Sequence, residues 1–125
     1  MEAGSPTVLV VEDEPSLRLL CRGNLELEGF AVLEAASLSE ARSRLESSSV
    51  DVVLLDLHLG RELGQTLVQE IAARTPRVRV ALVSGTAELP SAEESGADAV
   101  LPKPFQIDSL VATVRTLATA GQGER

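Results

Sequence analysis

Apolar positions in this chain come in short continuous runs, separated by stretches in which they recur at helical spacing. Thr7–Val11 is the first run and stops abruptly at Glu12, Asp13 and Glu14, which predicts a strand buried on both faces. Pro15 suits the first turn of a helix, in which Leu17, Leu20, Cys21 and Leu27 recur until Gly29 ends it, with Asn24 on the same face. Residues 30–35 predict a second strand. Ser37 with Glu40 three positions on forms a capping box for a helix carrying Leu38, Ala41 and Leu45, ended by the serines at 47–49. Residues 50–55 form the central run, VDVVLL, apolar on both alternating sets except at Asp51 and followed by Asp56. A loop with Gly60 and Gly64 leads to a helix with Leu67, Val68, Ile71 and Ala72 on one face, stopped before Pro76. Residues 78–83 predict a fourth strand, running into Ser84, Gly85 and Thr86. Pro90 can open a helix, but Gly96 closes it after Ser95, so this helix is expected to be short. Residues 99–101 predict a fifth strand ending at Pro102, Lys103 and Pro104, and a last helix carries Ile107, Leu110, Val111, Val114, Leu117 and Ala118. Residues 1–6 and 121–125 are expected to be flexible ends.

Five strands alternating with five helices predict an α/β domain: a doubly wound parallel sheet with right-handed crossovers and helices on both faces. The expectation is one domain over 1–125, with its core at about 7–118. Aromatic residues are 2% of the chain, with no Trp or Tyr, so the core must be built from Leu, Val, Ile and Ala. A formal charge of -8 argues against direct nucleic-acid binding, which needs basic residues to neutralise phosphates, and favours a cationic partner or a metal. Cys21 stands alone, which excludes an internal disulfide and fits a reducing compartment. No apolar run reaches the roughly 18 residues of a membrane span, and the start lacks a signal-peptide pattern, so the expected location is cytoplasmic, with no membrane partner.

Doubly wound sheets of five strands commonly take a Rossmann-like order or the flavodoxin-like order 2-1-3-4-5. The polar residues decide for the second. In that order strands 1 and 3 are neighbours, so Glu12 and Asp13 face Asp56 at the carboxyl edge. Three carboxylates in one pocket resist joint ionisation unless a cation neutralises them, and Mg²⁺ is the hard, oxygen-preferring ion that suits them. The fourth strand delivers the Ser84 hydroxyl and the fifth the Lys103 ammonium. Such a set suits phosphoryl transfer, which needs positioning and electrostatic cover, with Asp56 as a nucleophile that is ionised already.

In VLVVEDE, VVLLD, LVSG and LPKPF, in this order and at these strand ends, the chain resembles the receiver domain of two-component response regulators, of the chemotaxis-regulator-like type. The resemblance covers residue 7 to about 118. It implies that Asp56 is the phosphoacceptor, that Glu12, Asp13 and Asp56 hold Mg²⁺ together with the backbone carbonyl of His58, that Ser84 is the switch hydroxyl, and that Lys103 binds the phosphoryl group. It places Gly64 on a loop glycine of the family and makes Lys103-Pro104 a cis bond. The implied phosphodonor is a histidine kinase or a histidine phosphotransfer protein, and the only catalysis is the domain's own phosphorylation and dephosphorylation. Three departures matter. Val100 stands where the family often has a switch aromatic, the fourth helix is shortened around Pro90, and Gly60 replaces a frequent proline and is expected to loosen its loop. They leave one alternative, a phosphorylation-independent pseudo-receiver acting as an interaction module. An aspartyl-phosphate phosphatase of the dehalogenase type is disfavoured because His58 stands where its second Asp is required, and no phosphate-binding glycine motif follows the first strand.

Overall fold

The computed structural model describes residues 5–85 and 92–123. Thr86, Pro90 and Ser91 of the expected fourth-helix region lie outside the described residues. The chain runs β1 (Thr7–Val11), α1 (Pro15–Leu27), β2 (Ala31–Ala35), α2 (Leu38–Ser47), β3 (Val52–Asp56), β4 (His58–Leu59), β5 (Glu62–Leu63), α3 (Gln65–Arg74), β6 (Arg79–Ser84), α4 (Ala92–Ser95), β7 (Ala99–Pro102) and α5 (Ile107–Gly123). The main sheet has the order β2-β1-β3-β6-β7, all parallel, which is the expected 2-1-3-4-5 order once the small hairpin β4-β5 is set aside.

The alternating sets of the strands feed two cores. Leu9, Val11, Val53, Leu55 and Leu82 pack on one face with Leu38, Ala41, Leu67 and Ile71 of α2 and α3. Val8, Val10, Val52, Leu54 and Ala81 pack on the other with Cys21 and Leu25 of α1 and Leu110 and Val114 of α5. Val8, Leu9, Val52, Val53 and Leu55 are each 0% exposed, so the central strands are apolar on both sides because both sides are covered. At the amino edge of the sheet, Asp51 Oδ2 accepts from the Thr7 N–H at 2.8 Å and Asp98 Oδ2 from the Val80 N–H at 2.7 Å. Both carboxylates thus serve backbone donors at the starts of strands, away from the carboxyl edge.

Four details differ from the sequence expectation. The core-facing stripe of α1 is the half-buried Leu17 with the buried Cys21 and Leu25, whereas Leu20 and Leu27 are 48% and 84% exposed; among so many leucines the helical period fits two adjacent stripes, and only the sheet selects one. In α3 Leu67, Val68 and Ile71 are buried and Ala72 is exposed. The last helix continues through Gly121 to Gly123, into the stretch expected as a tail, and at the other end the Pro6 carbonyl accepts from Ala31 N–H at 3.0 Å. The loop after β3, expected to be loosened by Gly60, closes as the β4-β5 hairpin, with His58 opposite Leu63 and Leu59 opposite Glu62. Gly60 turns that hairpin at φ 61°, a left-handed conformation that a proline could not adopt.

Candidate functional site

The register of β1 on β3 pairs Val11 with Leu55, so the next residue on each strand, Glu12 and Asp56, leaves the same edge side by side. Glu12 N–H continues the ladder to Ala35 O at 3.0 Å, which holds it in the sheet's line. Glu12 and Asp56 are buried, at 5% and 6% exposure, while Asp13 is exposed. One oxygen from each of the three carboxylates lies within 4.8 Å of the others. Each carboxylate is also held by a backbone donor: Glu12 Oε2 by Glu14 N–H at 3.1 Å, Asp56 Oδ1 by His58 N–H at 3.2 Å, and Asp13 Oδ2 by Gly60 N–H at 3.0 Å. Glu14 serves the helix, its side chain accepting from Leu17 N–H at 2.7 Å as the α1 cap.

The opposite wall comes from β6 and β7. Ser84 pairs with Pro102 in register, and its carbonyl accepts from Lys103 N–H at 2.8 Å. The Lys103-Pro104 bond is cis. Lys103 Nζ donates to Glu12 Oε1 at 3.1 Å and to Asp56 Oδ2 at 3.0 Å, so the chain's single lysine bridges the two buried carboxylates. Ser84 is buried at the end of β6, one residue beyond Val83, which pairs with Asp56. The His58 side chain is exposed. Val100 is half-buried, paired with Leu82 and packed on the α2–α3 core, away from Lys103 by the alternation of β7.

Burial pushes Glu12 up to about 7, helped by the neighbouring Asp56 charge and opposed by the Glu14 N–H and by Lys103. For Lys103, burial pulls downward, but the hydrogen bonds and charges of Asp56 and Glu12 outweigh it and hold the ammonium above its ordinary value. Beneath the carboxylates lies a cavity of ≈ 10 Å³ lined by Val10, Leu17, Cys21, Leu54 and Phe105, room for about one water. The Cys21 thiol there is raised to about 11 by burial and by Glu12, which favours its protonated form.

The donor set fits Mg²⁺. It is all oxygen, it is charged, and its two buried members already require a counter-cation. With one oxygen from each already within 4.8 Å of the others, the three carboxylates could hold one such ion between them. The raised Glu12 gives the pH dependence its sign. A carboxyl whose folded pKa exceeds its unfolded value contributes stability below pH 4.5 that is lost as pH rises through about 7. A metal needs the ionised form, so Mg²⁺ affinity is expected to fall below about pH 7, by up to about tenfold per unit, and to level off above it. Calorimetric titrations at several pH values check this, and Glu12→Gln should flatten the profile while weakening binding.

Glu12, Asp13, Asp56, Ser84 and Lys103, which the sequence predicts at one edge, are gathered there in the structure. The backbone donors of His58 and Gly60 are not evident from the sequence, nor is Arg18, whose guanidinium donates to Glu12 O at 2.7 Å and to Glu34 Oε1 at 3.0 Å. A glycine at a hairpin turn was a readable signal for the second donor; Arg18, one of ten arginines, had none.

A family model described as response regulator receiver domain matches residues 8–115. The chain is 38% identical over 120 residues to the sensor kinase CckA of Brucella abortus (strain 2308), which covers 92% of this chain and 13% of that protein. It is 33% identical over 124 residues to the phosphate regulon transcriptional regulatory protein PhoB of Rhizobium meliloti (strain 1021), covering 95% of this chain and 55% of that one. The chain thus spans a small part of the first and about half of the second. Among solved structures, a CheY-like response regulator receiver domain protein from Methanospirillum hungatei JF-1 matches with a TM-score of 0.90 over 98% of this chain and 100% of that one; its 24% identity speaks for the fold. A response regulator receiver domain protein from Clostridium thermocellum matches with a TM-score of 0.87 at 26% identity, over 96% of this chain and 99% of that one.

Proposed function

We propose, from the premise that this chain belongs to the family of response regulator receiver domains, that Asp56 accepts a phosphoryl group from a phosphohistidine donor in a Mg²⁺-dependent reaction. The observation that carries the reading is the bridge of Lys103 Nζ to Asp56 and Glu12 at 3.0 and 3.1 Å, beside a third carboxylate on Asp13. Glu12, Asp13 and Asp56 would hold Mg²⁺, with the His58 carbonyl as the further ligand implied by the family. When bound, the ion would supply positive charge to the oxygens of the transferring group.

The chain's own residues do the rest. An Asp56 carboxylate oxygen attacks phosphorus; the P–O bond forms as the P–N bond to the donor imidazole breaks, and the imidazole leaves with the electron pair. Lys103 then turns its ammonium from the bare carboxylate pair toward the phosphoryl oxygens, whose charge it offsets. Ser84, at the end of the neighbouring strand β6, donates its hydroxyl to the same group in this reading. That new bond draws the end of β6 toward Asp56, which changes the surface that partners meet. Attack by water on the acyl phosphate reverses the modification, so the domain acts as a switch without turning over a substrate. Partners in this reading are a histidine kinase or a histidine phosphotransfer protein on the donor side, and a cytoplasmic setting follows from theirs. The reading treats 1–125 as one receiver domain.

The phosphorylation-independent pseudo-receiver is the second reading, and Val100 favours it, since a half-buried valine cannot swing as an aromatic does. Intact-mass analysis after incubation with acetyl phosphate separates the two. One added phosphoryl group with Mg²⁺, and none with a chelator, is the expected result. An unchanged mass under both conditions contradicts the proposal and favours the pseudo-receiver.

A further inference from the structure

We propose that Glu62 is a positioning residue for the carboxylate of Asp13, acting at a distance through the β4-β5 hairpin and the Gly60 N–H. The inference rests on the reading of Asp13 as a metal ligand and deepens it. Of the three clustered carboxylates Asp13 alone is exposed, so packing does not select its rotamer. What holds it is the Gly60 N–H at 3.0 Å to Oδ2, a grip that leaves Oδ1 for the ion. The direction of that N–H is set by the hairpin turn, where Gly60 sits at φ 61° between His58–Leu59 and Glu62–Leu63.

A hairpin with two residues on each side is too short to hold its own register. It is closed at its base by the Gly64 N–H, which donates to Leu57 O at 2.7 Å, and the strands themselves are pinned at two further points. Leu59 is buried, 3% exposed, in the α2–α3 core. Opposite Leu59, Glu62 Oε1 accepts from the Leu38 N–H at 3.2 Å, the first residue of α2, where an unpaired helix donor and the positive end of the helix dipole favour a carboxylate. Glu62 therefore ties the outer strand of the hairpin to α2, and the turn behind it presents Gly60 to Asp13. Released from α2, the hairpin would be held only at Leu59 and at its base, where the Gly64 N–H donates to Leu57 O at 2.7 Å, and its turn, with the donor that fixes Asp13, would loosen. The metal would then meet a carboxylate that has to be ordered on binding, which lowers affinity without removing a ligand.

Charge alone predicts something different, because any loss of an acidic residue near the site weakens cation binding. Two variants separate these causes. Glu62→Gln removes the charge and keeps an oxygen acceptor for the Leu38 N–H; Glu62→Ala removes both. Mg²⁺ affinity measured by calorimetric titration is expected to stay within about twofold for Glu62→Gln and to fall about three- to tenfold for Glu62→Ala, somewhat less than the loss typical of a residue directly supporting a ligand. Hydrogen exchange at the Gly60 amide, read without metal, is expected to quicken in Glu62→Ala only. Glu62 is exposed, so both variants should fold. Equal affinities for the two variants, or a Gly60 amide that exchanges alike in both, overturn the proposal. Failure of the unaltered chain to bind Mg²⁺ would overturn the metal reading itself, and the Gly60 exchange result would then decide the positioning role by itself.

Discussion

Lys103→Met is expected to move phosphorylation and metal binding in opposite directions. Methionine keeps most of the apolar stem and deletes the ammonium that contacts Asp56 Oδ2 and Glu12 Oε1. In the phosphoryl-transfer step this removes one preorganised donor aimed at developing charge, a loss commonly worth about 10²–10³ in rate. In the resting state it also removes a cation that would repel an incoming Mg²⁺, so Mg²⁺ should bind at least as tightly as before. The metal-free protein loses more. Two carboxylates whose side chains are 7% and 8% exposed are left without their counter-charge, and breaking such a pair costs up to about 3–5 kcal/mol. Because Lys103 is 26% exposed and Glu12 can take up a proton, about 1–3 kcal/mol is the expected loss. Denaturant unfolding with and without Mg²⁺, beside initial phosphorylation rates at saturating Mg²⁺, gives the three readouts. A variant that loses rate and metal affinity together would assign Lys103 to the metal site and not to the phosphoryl group.

Gly64→Ala is expected to destabilise the fold and disturb Asp56 together. A Cβ at Gly64 would stand 2.5 Å from the Asp56 backbone oxygen and 3.1 Å from Leu55 Cγ. The nearer atom is backbone at the end of β3, so relief must come from moving the hairpin or the end of that strand. Overpacking of this kind costs about 1–3 kcal/mol, and the upper part of that range is expected because the blocking atom cannot rotate away. The Gly64 N–H also donates to Leu57 O at 2.7 Å, so the same shift strains the segment that carries the site. Gly23 provides the contrast. It lies within α1, where an added methyl would meet nothing within 4 Å, and Gly23→Ala should stabilise by about 0.5–1 kcal/mol through helix propensity. Melting curves of the two variants, with the rate of Asp56 phosphorylation beside them, test both statements.

The strand order was legible in the sequence for a chemical reason. Glu12, Asp13 and Asp56 each follow an apolar run, and only neighbouring strands 1 and 3 bring them together, as the pairing of Val11 with Leu55 does. Lys103 and Ser84 followed in the same way from the strands they terminate. Features that depend on a few residues were not legible. The β4-β5 hairpin has two residues per strand, too few to show alternation, so His58–Leu63 reads as loop. Gly121 reads as a helix stop, yet α5 passes through it to Gly123, because a glycine lowers helix propensity without forbidding the conformation. In α1 the leucines fit two stripes, and burial of Leu25 with exposure of Leu27 is decided by where β1 and α5 lie. The Asp13–Gly60 contact joins residues 47 positions apart and has no pattern in the sequence beyond a glycine at a turn.

The central claim is that Asp56 carries the phosphoryl group. The most direct measurement is borohydride reduction of the protein after treatment with acetyl phosphate and Mg²⁺, followed by peptide mass mapping. Borohydride reduces an acyl phosphate and spares free carboxylates, so homoserine should appear at position 56, absent when Mg²⁺ is chelated and absent in Asp56→Asn. Reduction of Glu12 or Asp13 in place of Asp56, or no reduced side chain at all in the treated protein, would contradict the account.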